Sequence, residues 1–138
     1  MIKPRTLARR LALQYCFVCD INENWSADGW ENFLEDSLDE SDEGLTARVA
    51  PFAKELVDAV LSQREMLDGR ITRYLHNWDI NRLAAVERNV LRLAAAELVA
   101  GALDRSIIIS EAIGLAKNFG GKDSGKFVNG VLDALADS

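Results

Sequence analysis

Apolar residues recur along this chain at the three- and four-residue spacing of amphipathic helices. No stretch of four to eight residues shows the strict alternation of a half-buried strand. The pattern therefore predicts an all-α fold, a compact bundle of six or seven helices. The predicted helices span about 4–19, 26–38, 46–67, a short segment carrying Ile71, Tyr74 and Leu75, then 82–100, 106–119 and 124–136.

Proline, glycine and capping residues predict where these helices begin and end. Pro4 suits the first position of a helix, and Ser26 is a suitable N-cap for the acidic second helix. The pair 68–69, Asp-Gly, is expected to break or bend the chain, and Gly101 to end the helix over 82–100. The alanines of that helix allow close approach, so we expect it at the centre. Its predicted inward residues are Leu83, Val86, Val90, Leu93, Ala94 and Leu98.

The composition is that of one soluble domain that folds alone, since 49% of the 138 residues are apolar and only two are proline. We therefore expect a single domain over residues 1–138. No apolar run is long enough to cross a membrane, and the N-terminus lacks the apolar core of a signal peptide. Cys16 and Cys19 are too close in sequence to join distant segments, so we expect reduced thiols and a cytoplasmic location.

The net charge of −6 argues against a nucleic-acid partner, but the charges are unevenly distributed. Residues 1–19 hold four basic residues and no acid, whereas residues 20–47 hold ten acidic residues and no base. A short basic arm thus precedes an acidic segment. The acidic stretch 28–43 is most simply a solvated face that repels nucleic acid from that side.

Three motifs that can carry enzymatic chemistry are present only in incomplete form. The stretch 120–127 has the spacing of a phosphate-binding loop, but Phe127 replaces the hydroxyl residue that binds Mg²⁺, and a helix precedes the loop. Cys16 and Cys19 form a CxxC pair inside a predicted helix, without a second ligand pair. His76 is the single histidine, and no nucleophile is spaced for a triad around it. We expect no enzymatic activity, no cofactor and no metal.

The first helix has two different sides when its residues are placed at intervals of about 100°. The predicted core side carries Leu7, Ala8, Leu11, Ala12, Tyr15, Val18 and Cys19. The opposite side carries Arg5, Thr6, Arg9, Arg10, Gln14 and Phe17. Arginine forks match phosphates, and an exposed ring is a stacking platform for an unpaired base, so this side suits single-stranded nucleic acid. The alternative is a solvated basic face on which Phe17 packs against another helix or a partner.

A second basic cluster near the C-terminus strengthens this interpretation. It consists of Lys117, Lys122 and Lys126, and Phe127 follows it directly. If the last helix packs beside the first, the two clusters form one patch suited to single-stranded nucleic acid.

The most distinctive part of the sequence is its C-terminal quarter. The stretches 109–117, 119–120, 123–124 and 126–133 are ISEAIGLAK, FG, DS and KFVNGVLD. They resemble the C-terminal signature of the NusB transcription antitermination family. The stretch 86–93, VERNVLRL, with Glu97 and Leu98, resembles the central helix of that family. The first helix of this chain resembles the arginine-rich start of the family at Arg5, Ala8, Arg9, Ala12 and Gln14. The resemblance covers nearly the whole chain and is weakest over residues 20–50.

The resemblance implies a fold of two small sub-bundles that share the first helix, and a non-enzymatic role. In that role the protein pairs with NusE, a ribosomal protein, on the single-stranded boxA element of nascent ribosomal RNA, and RNA polymerase reads through terminators. By position, the resemblance assigns RNA contacts to Lys3, Arg5, Arg9, Phe17, Asp123, Lys126 and Phe127, and NusE contacts to Tyr74 and Glu87. Arg10 joins the RNA residues from the first helix alone, and Lys122 from the second basic cluster.

The chain departs from the family pattern in the first helix. Thr6 and Leu7 stand where members often carry further arginines, so the electrostatic contribution to RNA binding is expected to be smaller. Phe17 stands where tyrosine is common, which keeps the ring face and loses the hydroxyl.

Each assignment also has a structural alternative. Phe127 fits the buried stripe of the last helix, and Asp123 suits the N-cap of that helix. Tyr74 suits the core, and Glu87 suits a surface pair with a neighbouring arginine.

For the whole chain, the alternative is a helical protein-interaction module whose basic face is buried in a homodimer or other oligomer, without RNA binding. An RNA methyltransferase with a NusB-like domain is a further rival, but no Rossmann segment for a methyl donor is present in the sequence.

Overall fold

The computed structural model describes residues 2–76 and 79–137. Within these ranges the chain forms six α-helices, two short 3₁₀ helices and no strand, which confirms the predicted all-α fold. None of these helices is long and apolar enough to cross a membrane. The α-helices are α1 (Pro4–Asn22), α2 (Trp30–Ser37), α3 (Leu45–Thr72), α4 (Ala85–Ala100), α5 (Arg105–Gly120) and α6 (Lys122–Ala136), and the 3₁₀ helices span Glu40–Asp42 and Ile80–Arg82.

The chain divides into two compact units, and the boundary between them lies after Ser62, inside α3. The first unit holds α1, α2 and the first part of α3. The second unit holds the rest of α3 together with α4, α5 and α6. The basic arm therefore belongs to the first unit, and the second basic cluster belongs to the second.

In the first unit, an aromatic cluster ties α1 to α2. The Tyr15 ring meets Trp30 and Phe33 edge-on, with ring centroids 5.3 and 5.4 Å apart. The Tyr15 hydroxyl donates to the carbonyl of Ser26 at 2.5 Å. Burial raises the pKa of Tyr15 to about 12, so the phenol remains a neutral donor at physiological pH. Each ring pair contributes about 0.5–1.5 kcal/mol beyond the burial of its area.

The second helix begins later than the sequence predicts. The expected N-cap, Ser26, lies in the preceding turn, where its side chain accepts from the backbone N–H of Asp28. The actual N-cap of α2 is Gly29, which makes no side-chain capping bond. Helix α2 starts at Trp30, whose ring is buried. Aromatic packing, not capping, thus sets the first turn of this helix.

Helix α3 continues through Asp68 and Gly69, so the predicted break there and the separate short helix after it are wrong. Leu67 and Ile71, on either side of the pair, are both 0% exposed. Asp68 also pairs with Arg92 of α4. These interactions outweigh the cost of a glycine inside a helix, which is about 1 kcal/mol relative to alanine.

In the second unit, α4 carries buried polar residues as well as apolar ones. Arg92 donates to both carboxylate oxygens of Asp68, at 2.7 and 3.1 Å, and to Oδ1 of Asn89 at 3.0 Å. Gly101 ends the helix in the left-handed region at φ 68°, as predicted. Of the predicted inward residues, Leu83, Val90, Leu93 and Ala94 are buried, and Val86 and Leu98 are half-buried.

A single residue, Gly121, joins α5 to α6. The segment with phosphate-loop spacing is therefore helical on both sides of this glycine, and it does not form a phosphate-binding loop. A Cβ on Gly120 would lie 2.6 Å from Oγ of Ser124 and 3.2 Å from Cγ1 of Val86. Glycine is thus required where α4, α5 and α6 come close together.

Candidate nucleic-acid interface

Between its two ends, helix α1 exposes only a narrow strip of its surface. Its buried residues are Leu7, Ala8, Arg9, Leu11, Ala12, Leu13, Tyr15, Cys16 and Cys19. Between them lie the exposed Lys3 at the N-cap and the half-buried Thr6, Arg10, Gln14 and Phe17. These five residues follow one another at three- and four-residue spacing, so they form one line along the helix. We call Lys3, Thr6, Arg10, Gln14 and Phe17 the α1 strip.

Two of the three arginines at the start of α1 lie outside the α1 strip. Arg5 is exposed, and its guanidinium carbon lies 4.0 Å from the ring centroid of Phe52 in α3. Arg9 is 3% exposed, so the prediction that it faces outward with Arg10 is wrong. The physical reason is that Leu13 and Cys16, which flank Arg9 around the helix, are also buried. At the level of Arg9, one turn or more beyond Arg5, no exposed sector remains on that side of α1.

The C-terminal end of the α1 strip is apolar. Phe17 is half-buried, neither sealed in the interior nor fully exposed. Val18 is 42% exposed and Ile21 is 61% exposed, so the prediction of Val18 as a core residue is wrong. The strip therefore runs from cationic and polar groups into an apolar patch around a phenyl ring.

The second basic cluster lies at the start of α6. Lys122, Asp123 and Lys126 are exposed, and Phe127 is half-buried. Asp123 is the second residue of α6, and the N-cap is Gly121, where no side chain makes a capping bond. The alternative role of Asp123 as the N-cap is therefore wrong. Its negative charge in the first turn still favours the positive end of the helix dipole.

Lys117, the third lysine of this cluster, lies in the last turn of α5 and packs against α6 because Gly125 leaves room for it. A Cβ on Gly125 would lie 2.7 Å from Cγ and 3.1 Å from Cε of Lys117. The lysine stem thus crosses the backbone of α6, and the side chain as a whole stays exposed. Lys117 is not among the RNA residues assigned from the sequence. The sequence feature that accompanies its contact with α6 is Gly125, which has no side chain to block the lysine stem.

The two residues assigned to a protein partner both lie in the second unit. The half-buried Glu87 accepts a hydrogen bond from Oγ of Ser124 at 2.8 Å, which links α4 to α6. Tyr74 is half-buried, not a core residue, and it lines an open groove of about 460 Å³. The other residues that line this groove are Met66, Gly69, Arg70, Arg73 and Leu135.

The cysteines and the histidine form no reactive constellation in the part of the chain that the structure describes. Cys16 and Cys19 are buried and carry reduced thiols, and burial raises the pKa of the Cys19 thiol. The thiol is therefore protonated near neutral pH and a poor nucleophile. His76 is exposed in a turn, and its neighbours Asn77 and Trp78 lie outside the described residues. Residues 2–76 and 79–137 contain no cluster of His, Cys, Asp and Glu side chains that could hold a metal ion.

The sequence matches known proteins over nearly its full length. The model of the NusB family matches residues 6–137. The chain belongs to the NusB family. Two of the similar relatives are each named transcription antitermination protein NusB. The protein from Geobacter sulfurreducens is 39% identical over 135 residues, 97% of this chain and 94% of the relative. The protein from Myxococcus xanthus is 37% identical over 133 residues, 96% of this chain and 94% of the relative.

Solved structures share the NusB fold. T. maritima NusB has a TM-score of 0.80 and 36% identity, and the match covers 100% of this chain and 94% of that one. A chain in the crystal structure of the antitermination factors NusB and NusE in complex with double-stranded RNA has a TM-score of 0.83 and 29% identity. That match covers 99% of this chain and 98% of the other. The family assigned from the C-terminal signature is therefore confirmed.

Proposed function

We propose that this NusB-family chain binds boxA-type single-stranded RNA in nascent ribosomal RNA together with NusE, and thereby promotes read-through by RNA polymerase. The observation that carries the proposal is the α1 strip, where cationic and amide groups lead to a half-buried phenyl ring. Family membership supports the antitermination role. The solved complex of NusB and NusE with double-stranded RNA supports NusE as the protein partner and RNA as the class of ligand.

On α1, phosphate contacts are assigned to Lys3, Arg5 and Arg10, and base stacking to Phe17. Guanidinium groups match phosphate geometry, and stacking on an aromatic ring contributes about 1–3 kcal/mol per base. Arg9 is assigned a supporting role, because a side chain that is 3% exposed holds the helix and does not meet a ligand.

On α6, Lys122 and Lys126 are assigned further phosphate contacts, Asp123 is assigned a hydrogen bond from a base or a ribose hydroxyl, and Phe127 is assigned a contact with a base through its half-buried ring. We propose that the whole chain, residues 1–138, acts as one RNA-binding domain. The chain then works within the RNA polymerase antitermination complex in the cytoplasm, a reducing compartment that suits the reduced thiols of Cys16 and Cys19.

For NusE we propose a surface in the second unit that includes Tyr74 and Glu87. Tyr74 offers an aromatic face and a hydroxyl in an open groove, a combination common at protein interfaces. Arg70 and Arg73 line the same groove and give it a positive charge, which suits an acidic or carbonyl-rich edge of the partner.

A titration of labelled boxA-type RNA tests the proposal, with the chain alone and with NusE, over a range of salt concentrations. Five cationic contacts, from Lys3, Arg5, Arg10, Lys122 and Lys126, predict a log–log salt slope of about −3.5, at about 0.7 per contact. A shuffled RNA of the same composition is the control. Binding that is independent of salt, or equal for both RNAs in the presence of NusE, would contradict the proposal.

The alternative function is a protein-interaction module whose basic face is covered in a homodimer. The exposure of Val18 and Ile21 beside Phe17 favours it, because the three side chains form an apolar patch on α1. Light scattering during the RNA titration separates the two functions. A dimer that persists at saturating RNA, and binds none of it, supports the alternative.

A further inference from the structure

Arg10 differs from the other buried polar groups of this protein. In the part of the chain that the structure describes, buried side-chain nitrogen and oxygen atoms have hydrogen-bond partners, with the exception of Nε of Arg10. Buried donors in folded proteins are almost always paired, so an unpaired one requires an explanation. One explanation is that a bound ligand supplies the missing hydrogen-bond acceptor, and the position of Arg10 supports this explanation.

Arg10 occupies the middle of the α1 strip. At 1.5 Å per residue the strip is about 21 Å long from Lys3 to Phe17, enough for several consecutive nucleotides. Thr6 and Gln14, about one turn before and after Arg10, are both polar and half-buried. A single strand that lies along the strip therefore passes Arg10 between the ammonium of Lys3 and the ring of Phe17.

The other two arginines of α1 are held in place by their surroundings. The Arg5 guanidinium stacks on the Phe52 ring, a cation–π contact that draws it toward α3. Arg9 would have to leave a buried position to meet a ligand. The Nε–H of Arg10 makes no hydrogen bond, so a rotation that turns it toward a ligand breaks none at that atom.

We infer that Arg10 is the arginine of α1 that grips the RNA backbone, donating Nε–H and one terminal N–H to two oxygens of a single phosphate. The planar fork of arginine makes this bidentate contact, and the ammonium of lysine does not. The inference rests on the proposed function, because it selects the principal phosphate contact within the RNA site proposed above.

The test compares Arg10→Met, Arg10→Lys and Arg5→Met in RNA titrations with NusE present. Arg10→Met should weaken binding of boxA-type RNA about tenfold, the usual effect of losing a charge-assisted hydrogen bond. It should also make the salt slope shallower by about 0.7. Arg10→Lys should keep the slope of the parent and recover only part of the affinity. Arg5→Met, the matched control, should weaken binding less than Arg10→Met.

Thermal unfolding separates this role from a structural one. Arg10→Met should keep or raise the melting temperature of the parent, because it removes a buried donor that has no partner. A fall in melting temperature together with the loss of binding would assign Arg10 to the fold and overturn the inference.

RNA that carries a single methylphosphonate, scanned along boxA, tests the phosphate. One position should weaken the parent about tenfold and leave Arg10→Met unchanged, as expected for one lost contact. If no position does so, the acceptor is a base edge and the phosphate assignment is wrong. Equal binding by parent and Arg10→Met overturns the inference alone, whereas a parent that binds no RNA with NusE overturns the proposed function.

Discussion

Arg92 shows at the scale of single residues how this protein compensates a buried charge. Its side chain is only 2% exposed, and its guanidinium donates to both carboxylate oxygens of Asp68. The amide oxygen of Asn89 accepts a further hydrogen bond. A buried ion pair stabilises a fold little more than two apolar side chains of the same volume would. Removing one partner is nevertheless costly, because it leaves the other charge buried and uncompensated.

Asp68→Asn should therefore lower the free energy of unfolding by about 3 kcal/mol, the lower end for a broken buried pair, because Asp68 is partly exposed. Asp58→Asn is the matched control. Its partner Lys54 lies one turn away on α3, and such an exposed pair is worth at most about 0.5 kcal/mol. Urea unfolding followed by circular dichroism measures both variants. Equal losses would show that burial does not set the strength of the Asp68 pair.

The residues of the α1 strip could be predicted from the sequence in type but only partly in position. Arg9 and Arg10 are adjacent, and both fall on the polar side of a helical wheel, yet Arg9 is buried and Arg10 lies on the strip. A wheel gives the direction of each side chain around the helix axis. It does not give the number of directions that are covered, which depends on packing. For α1, burial of Leu13 and Cys16 leaves a sector too narrow for all three arginines.

At the scale of elements, glycines differ in whether the backbone requires them. Gly101 ends α4 at φ 68°, a conformation that a side chain strains. Gly69 lies within the continuous helix α3, and no atom lies within 4 Å of the position that a Cβ would take. Glycine at position 69 therefore offers no steric advantage, and it loses more conformational entropy on folding than alanine does. Alanine should make the folded state more stable at this position.

Gly69→Ala should raise the free energy of unfolding by about 0.5–1 kcal/mol, because alanine loses less conformational freedom in a helix. Gly101→Ala should lower it by about 1 kcal/mol, since alanine is strained at positive φ. Thermal and urea unfolding of the two variants give the comparison. A destabilising Gly69→Ala would contradict a continuous helix α3 at this position.

These two glycines also show why the existence of the helices was more predictable than their ends. Gly101 follows the last periodic residue of α4, so a local signal was sufficient. The stop expected at Asp68 and Gly69 is overridden by the Arg92 contact, which lies 24 residues away in sequence. The assignment of Glu87 and Tyr74 to a partner surface rests on the family resemblance alone, because no periodicity marks either residue as a partner contact.

At the scale of the whole molecule, the distribution of charge determines how the protein meets RNA. The net charge of −6 repels RNA at long range, and the acidic residues concentrate in 20–47, outside both basic clusters. Glu31, Glu35 and Glu40 are exposed members of this segment. An RNA binds only when its contacts with the basic clusters exceed that repulsion. Under the proposed function, the acidic segment therefore weakens the binding of boxA-type and other RNAs by a similar factor.

The triple variant Glu31→Gln/Glu35→Gln/Glu40→Gln should accordingly bind both shuffled and boxA-type RNA more tightly at low salt and keep the ratio of their affinities. The gain should be several-fold at low ionic strength and vanish near 1 M salt, where the Debye length falls to about 3 Å. The matched control replaces the same three residues by aspartate, which keeps their charge. Titrations of both RNAs across salt measure the ratio of affinities. A changed ratio would contradict this expectation, because it would mean that the acidic segment acts differently on the two RNAs.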